Sequence, residues 1–586
     1  MKSNFLRFAV ALFSALAISA GIASAQQNVT VTGTVVDDKG EPVIGAAIQV
    51  KGTLLGAVTD EYGVYSLETR SNATLEVSSI GYATQEIAVN GRTRIDITLA
   101  EDTTELEETV VIAYGEARAR DFTGAVQQIN VSNSPQSMMG FTNPTEILRG
   151  NVPGMQVTPP TGVGQAGSML VRGRRSLGAS SNEPLLVVDG MIYKGSMTNI
   201  DPNNIESIQV LKGAAASALY GYRGGNGAIL ITTKSGKKDQ PMSIEINNNF
   251  TINTIYDYRD WQTTYGQGRA GVKPTTDVLA QDTETSSWGP VMDGSSAVNF
   301  LGDTYKYSYV DNWKKFYRVG LNNATSVAIS GSSENVTYRL GISNIYESSI
   351  LPNAGFKQQG INMNTTYQIL KNLSLNVTAN YTFDKSNGRS NLSDGNGNTN
   401  ASLLYRANSF DIRWMKRQSA GNEWGTADDG SELIGGTNVY YNNPYWLQYR
   451  KTNEMNRNRL TGAMTLRWDI TDWLYLQGAV QRDGYNLDYK QVQPIGAAAD
   501  PMGWMTEYEK NFAELNYNFL LGFNKEFGDL TVGATFGGNS QNNKTVQYTV
   551  TDGGRPFIID GFWSVNNIAS ANRAPGKSLL RYKVRS

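Results

Sequence analysis

The chain has 586 residues, enough for several domains, and its 40% hydrophobic and 18% charged content excludes a disordered polyelectrolyte. Its 51 basic and 53 acidic side chains nearly cancel to a net charge of −2, which gives no electrostatic footprint for a nucleic-acid partner. Cysteine and histidine are both absent, so disulfides, Ser-His-Asp or Cys-His catalysis and ordinary zinc sites are excluded, and no cofactor or metal is expected. The 60 glycines, 30 tyrosines and 10 tryptophans, without long apolar runs, suit a membrane-spanning β-barrel with aromatic girdles.

Lys2 and Arg7, the apolar run Phe8 to Ile18 and the small-residue site Ala23-Ser24-Ala25 read as a signal peptide over 1–25, cleaved before Gln26. The apolar run is too short to cross a bilayer as a helix. From 26 to 100 short alternating strands are divided by turn chemistry. Val29, Val31, Gly33 and Val35 lead to Asp37-Asp38-Lys39-Gly40, and Asp60-Glu61-Tyr62-Gly63 precedes Val64, Tyr65 and Leu67. Later apolar positions fall at Leu75, Val77, Ile95, Ile97 and Leu99, so a small β-sandwich is predicted. Through Gly45-Ala46-Ala47, Gly52-Thr53, Thr59 to Gly63 and Gly81-Tyr82 it resembles the carboxypeptidase-regulatory-like module, a fold label that implies no protease.

A linker occupies 101–120. It opens with acidic residues, Glu101 to Glu108, followed by Thr109-Val110-Val111-Ile112-Ala113-Tyr114-Gly115. By itself that apolar run is one more buried strand. Asn143-Pro144-Thr145-Glu146 is a helix start. Gly162-Val163-Gly164-Gln165-Ala166-Gly167 has dinucleotide-binding spacing, but Pro159-Pro160 precedes it instead of a strand and a strand follows it, so no cofactor is assigned. Leu185 to Val188 is a strand stopped by Asp189-Gly190; within Asn204 to Gly213, Ile208, Val210 and Leu211 form another. Gly213 ends it, Ala214 to Leu219 reads as a short helix, Gly221, Gly224, Gly225 and Gly227 let the backbone turn sharply, and Ala228 to Thr233 is a third strand. This order of pieces, with Leu148-Arg149-Gly150, Pro153-Gly154 and Val171-Arg172-Gly173 upstream, resembles the plug domain of TonB-dependent outer-membrane transporters, and in detail the SusC/RagA family of Bacteroidetes. The signature positions are Val188, Asp189, Gly190, Ile205, Glu206, Val210, Leu211, Lys212, Tyr220 and Gly221, within a plug assigned to 121–238. Gly213 departs from the family pattern, which usually has an acidic residue there, and Tyr222 and Gly224 replace commoner alanines. Arg172, Arg174 and Arg175 form a basic cluster expected to pair with acids on a barrel's inner wall in preference to binding an anion.

From 239 to 586 the pattern is alternation at strand length, as in Ile244, Ile246, Phe250 and Ile252 or Leu515, Tyr517, Phe519, Leu521 and Phe523. Tight turns at Gly331 to Asn335, Leu370 to Asn372 and Thr471-Asp472 alternate with polar excursions at Tyr346 to Phe356, Asp384 to Asn458 and Asp483 to Glu514. Outer-membrane barrels have this asymmetry, with short periplasmic turns and long external loops. The excursions carry Trp414, Trp424, Tyr440, Tyr441, Tyr445 and Trp446, which suit two uses: stacking on sugar rings or peptide side chains, and packing the loops against a covering protein. The predicted fold is mainly β: a sandwich, an α/β plug, then an antiparallel transmembrane β-barrel. About ten strands are recognisable, whereas a plugged transporter barrel takes about twice that number. The last residues, Pro575 to Ser586, also lack the aromatic terminus that the family uses for assembly, so the expectation is an incomplete barrel and a truncated product.

The resemblance implies a non-enzymatic importer embedded in outer-membrane lipid, with its amino-terminal module in the periplasm. Its substrate would be an oligosaccharide or an oligopeptide, taken up with a SusD-like surface lipoprotein. Thr109 to Gly115 stands where the family has its TonB box, which would add as a strand to TonB, itself energised through ExbB and ExbD. The alternatives are an outer-membrane receptor that signals occupancy to a periplasmic partner, or a non-functional remnant.

Overall fold

Two-residue alternation resolves into paired strands along most of the chain. The computed structural model describes residues 28–51, 53, 55–79, 82–100, 109–112, 115–118, 126–131, 144–158, 162, 164–165, 167–177, 182–389, 397–416, 424–436, 438, 441–528, 530–551, 557–559, 561–568 and 573–585. The expected signal peptide and the acidic run 101–108 lie outside them. Two compact units result, one holding the first hundred residues and the other nearly all that follows.

The first unit is a sandwich. One sheet pairs Asn28–Asp37 with Val64–Arg70 and, in parallel, with Ile97–Leu99; the other runs in the order Gly56–Val58, Ala47–Val50, Thr74–Ser79, Tyr82–Ala88. Val31, Val35, Ile48, Leu67, Leu75, Val77, Ile97 and Leu99 meet in one buried core between the sheets, as the alternation requires. The turn at residues 60–63 is set by Asp60, whose carboxylate accepts from the amides of Tyr62 and Val64, both at 2.9 Å. Buried Tyr65 ties the sheets by donating to the Ile95 carbonyl at 2.8 Å, and burial pushes its phenol up to about 12.

In the second unit, a five-stranded sheet has the order Val126–Asn130, Ile205–Leu211, Ala228–Thr233, Leu185–Val188, Met191–Ile192. Its middle strands are apolar on both sides because both faces are covered. One face packs Ile205, Ile208, Val210, Ile229 and Ile231 with Ile147 and Leu148 of the helical turn Thr145–Leu148; the other packs Leu211, Ala228 and Leu230 with Ala216 and Tyr220 of the helix Ala214–Tyr220.

Ten antiparallel strands follow in sequence order: Ser243–Asn253, Gly320–Ser332, Val336–Ser348, Gly355–Leu370, Leu373–Asn387, Thr452–Thr471, Leu474–Gln493, Trp504–Phe527, Leu530–Thr551 and Ala574–Arg585. The sheet does not close: its first and last strands each pair with one neighbour. One face carries a continuous apolar belt, register-paired as Ile246, Val327, Ile342, Ile361, Tyr381 and Leu460 and continued by Met464, Val480 and Tyr517. The belt is bare: Ile246 is 70% exposed, Ile342 and Ile361 59% and Met464 55%. The opposite face buries Arg339, Gln358, Asp384, Arg459, Asp483, Glu514, Gln541 and Asn543. Apolar outside and polar inside is the inverse of a soluble sheet and is the pattern of a strand wall facing lipid. No helix among the described residues is long and apolar enough to cross a membrane, which says nothing of strands.

The described residues of the tight connections 333–335, 371–372, 472–473 and 528 all lie at one end of the strands, and those of the longer segments 254–319, 349–354, 388–451, 494–503 and 552–573 at the other. Two expectations are corrected. The excursion Asp483 to Glu514 is largely strand, and Asp384 to Asn458 is strand at both of its ends: Asp384 pairs with Arg457 and Asp483 with Glu514. Above the lipid belt both faces of the strands are polar, so the alternation fades from the sequence while the hydrogen-bond ladder continues. Conversely, 254–319 is a long segment that alternation did not mark off.

Candidate functional site: plug, wall and loop cluster

Within the plug, the signature residues build the scaffold. Val188 and Met191 face each other across Asp189-Gly190, with φ of +47° and +76°, so the Asp-Gly pair makes a two-residue turn of the type that matches strand twist. Asp189 also accepts from the Thr233 amide and hydroxyl, both at 2.8 Å, which fastens the turn to the end of the neighbouring strand. Ile205, Val210, Leu211 and Tyr220 are core, while Glu206 and Lys212 are half-buried. Gly213 and Gly221 cap the short helix with φ of +59° each. A Cβ at Gly213 would lie 2.9 Å from Nη1 of Arg172, so the acidic residue usual at this position would stand beside that guanidinium.

The contacts to the wall come from residues next to the signature. Met197–Asn199 forms a 3₁₀ turn capped by Ser196, and it aims Asn199 at Asp384 (3.2 Å) and the Thr198 carbonyl at Gln358 (3.0 Å). Asp384 also accepts from Gln358 at 2.8 Å and from Arg457. Tyr193 lies under the Arg459 guanidinium, 4.2 Å from the ring centroid, and Arg459 donates to Asp483 at 2.5 Å. The Lys194 amide is 3.4 Å from the same Asp483 carboxylate, while its ammonium is 3.3 Å from Glu514 and 4.5 Å above the Tyr582 ring. Arg223 donates to Gln541 at 2.8 Å and Lys234 to Glu245 at 2.8 Å, the latter shared with Arg339. Between plug and wall at Tyr193, Asn199, Asp201 and Arg459 a cavity of about 40 Å³ remains, room for about one water.

The basic cluster does not do this. Arg172, Arg174 and Arg175 are exposed; Arg175 turns back to donate to the Gly225 carbonyl inside the plug. Among the described residues, Lys194 and Lys234 supply the ion pairs between plug and wall.

At the end opposite the tight turns, 254–319 and the described residues of 388–451 fold on each other. Phe300, Phe316, Leu403, Phe410, Ile412, Met415 and Tyr445 share a buried core. Asn312 bridges by donating to the Phe410 carbonyl and accepting from the Ile412 amide, both at 2.8 Å, and Arg406 is buried against Glu284. Most of the aromatics singled out from sequence serve this packing. Trp446 has 0% exposure and Tyr445 is core; Trp424 stacks on Tyr449 at 3.8 Å, Trp414 meets Phe410 edge-on at 5.2 Å, and Tyr441 stacks on Tyr405 at 4.5 Å. Tyr440 lies outside the described residues.

Residues 31–111 match the CarboxypepD_reg-like domain family, and residues 118–228 match the TonB-dependent Receptor Plug Domain family. Over 390 residues the chain is 32% identical to the TonB-dependent receptor SusC of Bacteroides thetaiotaomicron, a match covering 65% of this chain and 36% of SusC. Over these residues the chain is similar to the SusC/RagA-like TonB-dependent receptors. It is also 29% identical over 449 residues to TonB-dependent receptor P26 of Formosa agariphila, covering 76% of this chain and 42% of that one. Its fold is that of the RagAB peptide importer in an open state, with a TM-score of 0.59 over 81% of this chain and 53% of the importer chain at 18% identity. The chain thus spans less than half the length of SusC or P26. These relatives are receptors and transporters, not enzymes.

The segment expected to be a TonB box, Thr109 to Gly115, is described in part. Thr109–Ile112 forms a strand paired with Gly115–Arg118 in a two-stranded ladder; Ala113 and Tyr114 lie outside the described residues. Sequence reasoning missed Tyr193, Lys194, Asn199, Arg223 and Lys234, and with them the wall residues Asp384, Arg459, Asp483 and Glu514. The available signal was the charge on strands whose other inward positions are merely polar: a charge aimed into a barrel has to find a partner there.

Proposed function

We propose that this receptor works in the outer membrane as a TonB-energised importer of oligosaccharides, with short peptides the second choice, beneath a SusD-like surface lipoprotein. The observation that carries the reading is the plug docked on a polar wall by a set of separable hydrogen bonds and ion pairs, where an apolar seal would be far harder to part. Net hydrogen bonds of about 1 kcal/mol each hold collectively yet yield one after another under load. In this reading Thr109 to Gly115 lies in the periplasm, adds as a strand to TonB, and passes on the pull that ExbB and ExbD power. The sugar substrate is what the resemblance to the SusC/RagA family implies, and the RagAB peptide importer supports the peptide alternative. Deleting Thr109 to Gly115 is expected to cut uptake of a labelled oligosaccharide about tenfold or more in whole cells while surface binding stays intact. Undiminished uptake overturns the mechanism.

A further inference from the structure

The long segment that sequence alternation did not mark off carries a built pocket. Arg259 donates in a fork to Asp257, Nε at 2.7 Å and Nη2 at 2.6 Å, and its guanidinium lies between two indoles, 4.2 Å from the Trp313 ring centroid and 5.0 Å from that of Trp261. Tyr309 and, from the other long loop, Asn408 and Arg406, the last neutralised by Glu284, also line the cavity of about 80 Å³, the volume of two or three waters. Trp261 is 50% exposed and Tyr309 44%, so flat apolar faces flank the polar mouth. Buried Nε1 of Trp313 has no partner among the described residues.

The electrostatics narrow the ligand. Asp257 and Asp311 are balanced by Arg259, and by Lys314 at 3.2 Å from Asp311, so the site is locally neutral. The hydrogen bonds from Arg259 hold the Asp257 carboxyl at about 2, so it stays an acceptor at any growth pH. A ligand carboxylate would meet Asp257 and a ligand ammonium Arg259, each at a cost. A neutral ring with apolar C–H faces and an edge of hydroxyls meets neither: its face lies on Trp261 and its hydroxyls reach the remaining lone pairs of the Asp257 oxygens and the Arg259 N–H groups left outside the fork.

We infer that Asp257, Arg259, Trp261, Tyr309 and Trp313 form a binding subsite for a neutral sugar ring on the loop cluster. This rests on the reading of the protein as an importer and names where and how one substrate ring is held.

The test is binding to the full chain extracted from outer membranes, followed by tryptophan fluorescence and calorimetry. The probes are neutral hexasaccharides, α-1,4- and β-1,4-linked, with a neutral hexapeptide pool as comparator. Trp261→Ala is expected to weaken hexasaccharide binding at least tenfold, and Arg259→Met likewise. Trp288→Ala, at an exposed position on the same segment outside the pocket, is expected to leave it unchanged. Near-ultraviolet dichroism checks that each variant keeps the loop fold. Wild-type affinity in both pocket variants overturns the subsite while leaving the importer reading in place. Loss of peptide binding with no sugar binding in the wild type overturns the sugar assignment. Wild-type protein that binds neither probe class overturns both.

Discussion

Lys194→Met is expected to raise the undocked fraction of the plug by about two orders of magnitude. Asp483 and Glu514 are directly opposite on adjacent strands and only 1% and 4% exposed, an arrangement in which like charges repel across the ladder. The wall tolerates it because two cations intervene, Arg459 on Asp483 and Lys194 on Glu514, and the second belongs to the plug. Removing Lys194 leaves Glu514 with the Asn543 amide at 3.0 Å as its remaining hydrogen bond among the described residues. Breaking a buried pair costs about 3–5 kcal/mol, and the lower end applies because Lys194 is itself partly solvated. At 1.4 kcal/mol per tenfold, about 3 kcal/mol gives the stated shift. The readout is sensitivity of intact cells to a large glycopeptide antibiotic, with protease cleavage of the plug as a second measure. The double variant with Glu514→Gln should recover most of the loss, because the neutral amide removes the repulsion. A single variant as tight as wild type, or no recovery in the double, would sink the electrostatic account.

How far this interface could be read in advance follows from its geometry. The plug signature was legible because each residue acts within a few positions of itself: Asp189-Gly190 makes a local turn, Gly213 and Gly221 bound one short helix. The barrel was legible wherever one face meets lipid, since the apolar period of two is a local property. Lys194 and Asp483 are 289 positions apart, and no local pattern links them. The strand ends were lost for a related reason: beyond the belt, register pairs such as Asp384 with Arg457 are polar on both faces. The loop aromatics divided by burial, which depends on how two distant segments meet. Trp446 reads in sequence like Trp261, yet one is sealed in a core and the other half open to solvent.

That meeting of segments hangs on one buried cation, and Arg406→Met is expected to destabilise the loop cluster by about 3–5 kcal/mol at neutral pH. Arg406 joins three parts of it: Nη1 pairs with Glu284, Nη2 donates to the Tyr441 carbonyl at 2.8 Å, and its guanidinium lies 5.1 Å from the Phe410 ring centroid. Glu284 is buried beside Gly435 and Gly436, where a Cβ at Gly436 would overlap the carboxylate, so the acid has no room to swing toward water. Burial already raises its pKa, with Arg406 opposing the rise, and burial likewise raises that of Glu432. The sign of the pH effect follows. A carboxyl whose folded pKa lies above the unfolded value of about 4.3 binds its proton more tightly when folded, so stability falls as pH rises through that window and levels off above it. Without Arg406 the Glu284 pKa climbs further, and the penalty for its charged form grows. The variant's deficit should therefore be full at pH 7.5 and shrink markedly by pH 5, where Glu284 takes up a proton in the folded state. Tryptophan fluorescence melts at the two pH values measure this directly, because Trp414 and Trp424 pack within or beside the affected core. An equal deficit at both pH values would mean that Arg406 acts through packing on Phe410 and not by neutralising Glu284.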